Sequence, residues 1–132
     1  MNAIALSCVA ALGLLLFGLG LCVSGLRFSL NQLSSDSVEP SSVLHRVVRA
    51  HGNSAEYVAM LAVLFLYLGA GRPAAWVIAC MVGATVSRFA LVAGLVFPAT
   101  MARPNALRFA GGLGTYAFGA ALCVALVLAR GA

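Results

Sequence analysis

The sequence predicts an all-α integral membrane protein, a four-transmembrane-helix bundle, and three observations carry that prediction. Of 132 residues, 63% are hydrophobic and 8% are charged, against about 25% charged in a soluble domain. Four apolar stretches each reach the roughly 20 residues that a hydrocarbon core requires. The eight basic residues are all arginine and never form a run; they sit singly at helix ends, where arginine anchors a span and sets its orientation. A net charge of +5 spread in this way argues against nucleic acid as a partner. The length allows one domain, covering residues 1–132.

The first span runs from about Ala3 to Leu26, without a charge until Arg27. Residues 27–42 are polar, carry Asp36 and Glu39, and read as a loop. Ser42 is placed to cap a second helix reaching about Ala70. Gly71-Arg72-Pro73 makes a tight turn, with Pro73 suited to open a third helix over about 74–97. A short loop from Pro98 to Pro104 contains Arg103, and a fourth span covers about 105–129. At about 1.5 Å per residue the second helix is about 42 Å long, more than the roughly 30 Å of the hydrocarbon. Its first half is polar, so that half must protrude or be shielded by other helices.

Arginine placement predicts topology. Arg27, Arg46, Arg49, Arg103 and Arg108 belong to one side, and Arg72 and Arg130 to the other. The richer side is expected in the cytoplasm, with both termini opposite. Brevity and short loops point to a bacterial inner membrane. Cys8, Cys22, Cys80 and Cys123 fall in apolar segments with no C-x-x-C pair, and read as small hydrophobes in lipid. The N-terminus lacks a basic leader segment and is not expected to be a cleaved signal or a lipoprotein signal at Cys8. Small residues at four-residue spacing, Ala79-Gly83-Ser87 and Ala110-Gly114, predict close packing of the third and fourth helices.

Ionisable groups within a membrane span are candidates for function. At about 100° per residue, Arg49, Asn53 and Glu56 lie within about 60° of one another on one helical stripe, which Arg46 and Met60 extend. A cation, a neutral donor–acceptor and an anion on one stripe suit a zwitterionic, peptide-like ligand. The same spacing equally permits the three to pair with one another or to join helices. His51 points about 160° from Arg49 and reads as a packing histidine, while His45 lies at the helix start. Arg27, Arg88, Arg103 and Arg108 each read as orientation anchors; together with Arg49 they would make an electropositive pocket that lowers a bound thiol's pKa. No metal-site spacing, Gly-rich phosphate loop or hydrolase nucleophile motif is present.

The segment HRVVRAHGNSAEY, residues 45–57, resembles the signature of the membrane-associated proteins in eicosanoid and glutathione metabolism. That family includes microsomal glutathione transferases, leukotriene and prostaglandin synthases and the lipoxygenase-activating protein. The R-A-x-x-N-x-x-E core matches at Arg49, Ala50, Asn53 and Glu56, followed by Tyr57. The resemblance covers the whole chain and implies a homotrimer that binds glutathione between subunits at the cytoplasmic side. It implies that Arg27, Arg49, Asn53, Glu56, Tyr57 and Arg103 hold the tripeptide, and that Arg108 steadies its thiolate. The chain departs from the family pattern at Ala59, where proline is common, and in helix three, where Leu91 and Phe97 stand near the usual Tyr or His; Tyr116 is not an obvious substitute.

The function implied is a glutathione-dependent transferase, or peroxidase, acting on lipophilic small molecules that enter from membrane lipid. A non-catalytic binding or scaffold protein of the same fold is the alternative. A small proton-coupled exporter using Glu56 is a third reading, against which stand the Arg and Asn one and two turns from that carboxylate.

Overall fold

The structure is a computed structural model that describes residues 1–32 and 39–129. Asp36, expected in the first loop, and Arg130, counted in the charge asymmetry, lie outside the described residues. The chain forms α1 (Ala3–Ser29), α2 (Val43–Gly69), α3 (Ala75–Val96) and α4 (Ala106–Leu128). All four are long and apolar enough to cross a membrane, as predicted.

The helix ends follow from local chemistry. The Asn2 side chain caps α1 by accepting from the backbone N–H groups of Ile4 and Ala5 at 2.9 and 3.1 Å. Asn105 does the same for Leu107 and Arg108, and Ser42 accepts from His45 at 3.4 Å. Each satisfies donors that a helix start leaves open. At its far end α1 outruns the expected boundary by about a turn, so Arg27 lies within the helix and does not end it. The stop is set by Asn31, whose φ is 53°. Its N–H donates to Phe28 and that of Gln32 donates to Arg27, the paired closure of a Schellman motif. Pro73 precedes the N-cap Ala74 and is therefore not the first helical residue, because Ala74 holds an extended backbone.

α1 packs on α2 and α3, α2 also touches α4, and α3 meets α4 most extensively. Backbone hydrogen bonds tie the ends. Asn2 N donates to Gly69 O at 2.7 Å, and Met101 N donates to Pro40 O at 3.0 Å. The start of α1 and the α2–α3 turn therefore share one end of the bundle, and the other two connections share the opposite end. Arg46, buried against the end of α3, donates through Nη1 to Val96 O at 2.8 Å and to Pro98 O. It thus clamps the α3–α4 connection and is not part of the binding stripe that sequence spacing suggested.

Two apolar clusters fill the bundle. The larger joins Leu12, Phe65, Met81 and Leu122 across all four helices. The smaller joins Leu19, Val47, Leu91 and Leu95 near the α3–α4 loop. Between them along α2 and α3 come the buried polar residues Ser54, Thr85, Ser87 and Arg88. Outside, Leu14, Phe17 and Leu21 of α1 and Phe109 and Val127 of α4 are exposed, an exterior fit for acyl chains and unfit for water.

The α3–α4 seam is close, as predicted, although its register differs. Gly83, Ser87 and Gly114 lie in it, whereas Ala79 and Ala110 are exposed. Backbone meets backbone most closely at Gly94 and Gly111. A Cβ on Gly94 would stand 2.5 Å from Arg108 N, and one on Gly111 would strike Leu91 N. Both contacts are to backbone, which cannot swing aside as a side chain can.

Gly94→Ala and Gly111→Ala should each lower thermal stability in detergent, by about 1–3 kcal/mol, the usual cost of overpacking. Gly119→Ala, where nothing lies within 4 Å, should leave the unfolding temperature unchanged or raise it. Equal behaviour of the three variants would show that the seam does not depend on backbone approach.

Candidate functional site

The predicted stripe on α2 opens onto a cavity of about 500 Å³ formed by α2, α3 and α4. Arg49, Asn53, Arg108 and Tyr116 supply its polar wall, and Leu91, Leu95, Met101, Phe109 and Leu113 its apolar wall. Three of the seven residues singled out from sequence, Arg49, Asn53 and Arg108, thus meet in one place. The others stand apart within this single chain. Glu56 is exposed, Arg27 is half-buried in the last turn of α1, and neither lines the cavity. Arg103 lines a separate hollow with Pro98, Thr100 and Asn105. Tyr57 does not line the cavity, and its ring lies 5.8 Å from that of Tyr116.

Arg108 is placed by the seam and by its own helix start. Its backbone abuts Gly94, its N–H is capped by Asn105 at 3.1 Å, and its Nη1 donates to Met101 O at 3.2 Å. As the third residue of α4 it adds its charge to the positive end of the helix dipole. Arg49, exposed on α2, brings a second guanidinium to the half-buried one of Arg108. An anion in the cavity would meet both.

The residue that sequence spacing undervalued is Arg88. It is not at a helix end but well inside α3, about 12 Å from the last helical residue at 1.5 Å per position, and it is 1% exposed. Its Nη1 donates to Asn53 Oδ1 at 3.0 Å and its Nη2 to Ser54 Oγ at 3.1 Å. Its guanidinium carbon lies 5.3 Å from the centre of the Tyr57 ring, within cation–π range. Asn53 therefore pairs across to α3 rather than with Arg49 or Glu56 along its own helix. The usable signal was an arginine deep in a span, which lipid tolerates only where protein supplies acceptors.

Tyr116, judged from the sequence not an obvious substitute for the helix-three aromatic, lines the cavity from α4 and faces Tyr57. Leu91 lines it from α3, while Phe97 is 82% exposed and turned away. His51 faces α1, its Nε2 standing 3.3 Å from where a Cβ on Gly20 would be, in keeping with a packing role.

Comparison with curated proteins and with solved structures finds no match. The model of the MAPEG family matches residues 5–128, a stretch that takes in all but the first two residues of the four helices and every residue of the cavity. The chain belongs to the MAPEG family and, with its four apolar spans, is an integral membrane protein.

Proposed function

We propose that the chain is a membrane transferase that binds glutathione in the α2–α3–α4 cavity and conjugates its thiol to lipophilic electrophiles. The observation that carries this reading is the convergence of Arg49, Asn53 and Arg108 on one cavity whose remaining walls are apolar. The Arg49 guanidinium suits a carboxylate of a tripeptide and that of Arg108 its thiolate, and the leucine-rich wall suits a substrate arriving from lipid. Arg27 and Glu56, which lie outside the cavity of their own chain, would meet the ligand where two copies adjoin in a homotrimer. The end of the bundle that holds the cavity is assigned to the cytoplasm, on its excess of arginine.

In the proposed reaction the thiol of glutathione loses its proton to water and the thiolate is held by the positive field of Arg108. Its sulfur then attacks the electrophilic carbon, forming a C–S bond as the leaving group of an aryl halide departs with the bonding pair, or as the C=C π pair of an enone shifts toward the carbonyl and takes a proton from water. A hydroperoxide would be reduced by two such thiols, yielding the alcohol, water and glutathione disulfide. A binding protein without turnover is the second reading. It is favoured by Leu91, an apolar side chain at the cavity wall of α3 where the family pattern has a hydrogen-bonding group.

Calorimetry on detergent-purified protein should detect glutathione binding by wild type and its loss in Arg49→Ala and Glu56→Ala. A well-folded wild type that binds none would remove glutathione as the ligand. In Arg108→Ala, turnover of a panel of aryl halides and enones should fall about 10²-fold, the scale of losing one preorganised charge-stabilising donor, while glutathione binding persists. Binding without turnover in wild type would favour the non-catalytic reading, and undiminished turnover in the variant would sink the role given to Arg108.

A further inference from the structure

Arg88 carries an inference about what the cavity can recognise. Its guanidinium is donor-only and is 1% exposed. The two acceptors it reaches are Asn53 Oδ1 and Ser54 Oγ, and its buried Nε has no partner. Among the described residues no carboxylate comes within ion-pair distance of it. An asparagine side chain is ordinarily ambiguous between its oxygen and its nitrogen, but here the partner removes the ambiguity. Only the oxygen can face Arg88. The amide nitrogen is then the part of Asn53 left for the cavity that this residue lines.

We infer that Arg88 is a positioning residue that fixes the Asn53 amide with its N–H₂ toward the cavity, so that the polar wall recognises oxygen acceptors of a carboxylate-bearing ligand. Arg49 and Arg108 are also donor-only and the Tyr116 hydroxyl can donate as well as accept, so the wall offers donors from two helices, Arg49 and Asn53 on α2 and Arg108 and Tyr116 on α4, with α3 supplying the hidden support. The charge on Arg88 polarises the amide and strengthens the hydrogen bond its nitrogen gives. A ligand that brought an ammonium or an amide N–H to Asn53 would meet the donor nitrogen there, the oxygen being turned to Arg88. This replaces the simplest view of the α2 stripe, in which Asn53 could serve either partner of a peptide bond. The inference deepens the glutathione reading and rests on it for the identity of the ligand, though the orientation of Asn53 does not.

Asn53→Asp separates the two faces of this residue. It keeps an oxygen for Arg88, now charged, and replaces the donor at the cavity with a second acceptor. In thermal unfolding the variant should hold or exceed the wild-type midpoint, and should fall several degrees below it once combined with Arg88→Gln. A midpoint for Asn53→Asp that drops equally with and without Arg88 would overturn the orientation, with no ligand involved. In calorimetry the folded Asn53→Asp protein should bind glutathione at least tenfold more weakly than wild type. Unchanged affinity would overturn the donor role. Should wild type bind no glutathione, the ligand reading fails while the unfolding comparison still decides the orientation.

Discussion

A guanidinium sunk in a membrane bundle must find its hydrogen-bond acceptors in the protein, because acyl chains offer none. Arg88 obeys this constraint, and much of the site's order follows from how it is met. Its acceptors are on α2, so α3 and α2 are held in one register by Asn53 and Ser54. Its flat face lies over Tyr57, whose ring in turn meets Tyr116 on α4. One buried cation thus links three helices, in the layer where the two apolar clusters leave a gap for polar side chains. Pairing an isolated charge in hydrocarbon matters more than the small worth of a hydrogen bond in water, where the unpaired state is also solvated.

The second determinant is the nearness of α3 and α4. Lipid gives helices no hydrophobic reason to associate, so association depends on close van der Waals fit. Gly94 and Gly111 allow backbone to lie against backbone, and this brings the start of α4 beside the end of α3. Arg108 stands at that point, and its direction into the cavity is a consequence of the seam. Arg46 works at the same end from α2, holding the α3–α4 connection by its carbonyl groups. Packing, rather than the loop sequence itself, sets where the two cavity arginines meet.

Much of this was legible from the sequence. Apolar runs of span length located the four helices to within about a turn, because the requirement to cross hydrocarbon is imposed by length and composition alone. The stripe of Arg49 and Asn53 was legible from helical periodicity. Periodicity within one helix, however, carries no information about what stands opposite, so it could not tell that Asn53 faces Arg88, that Arg46 faces the α3 end, or that Glu56 points out of its own chain. The small-residue pattern failed at Ala79 and Ala110 for a related reason. The seam runs on from Ser87 to Gly94 and from Gly114 to Gly111, steps of seven and three on the same face, so a search at four-residue spacing finds Gly83, Ser87 and Gly114 but passes over Gly94 and Gly111. Tyr116 was named but set aside because helix three was expected to furnish the aromatic group.

The division of labour between Arg88 and the cavity arginines explains why one chain can concentrate so much positive charge. A cation that lines a cavity is partly solvated when the cavity holds water, and it tolerates exchange between water and an anion. One that is sealed, as Arg88 is, has no such recourse and must keep fixed partners. The sealed arginine therefore serves as structure, and its effect on a ligand passes through the amide it orients. Arg49 and Arg108 differ from it only in access, since all three carry the same group. Access is decided by helix packing: the gap between α2 and α4 exposes two guanidinium groups, while the contact of α2 with α3 closes over the third. In this bundle the same residue type becomes scaffold or binding group according to which interface it falls in.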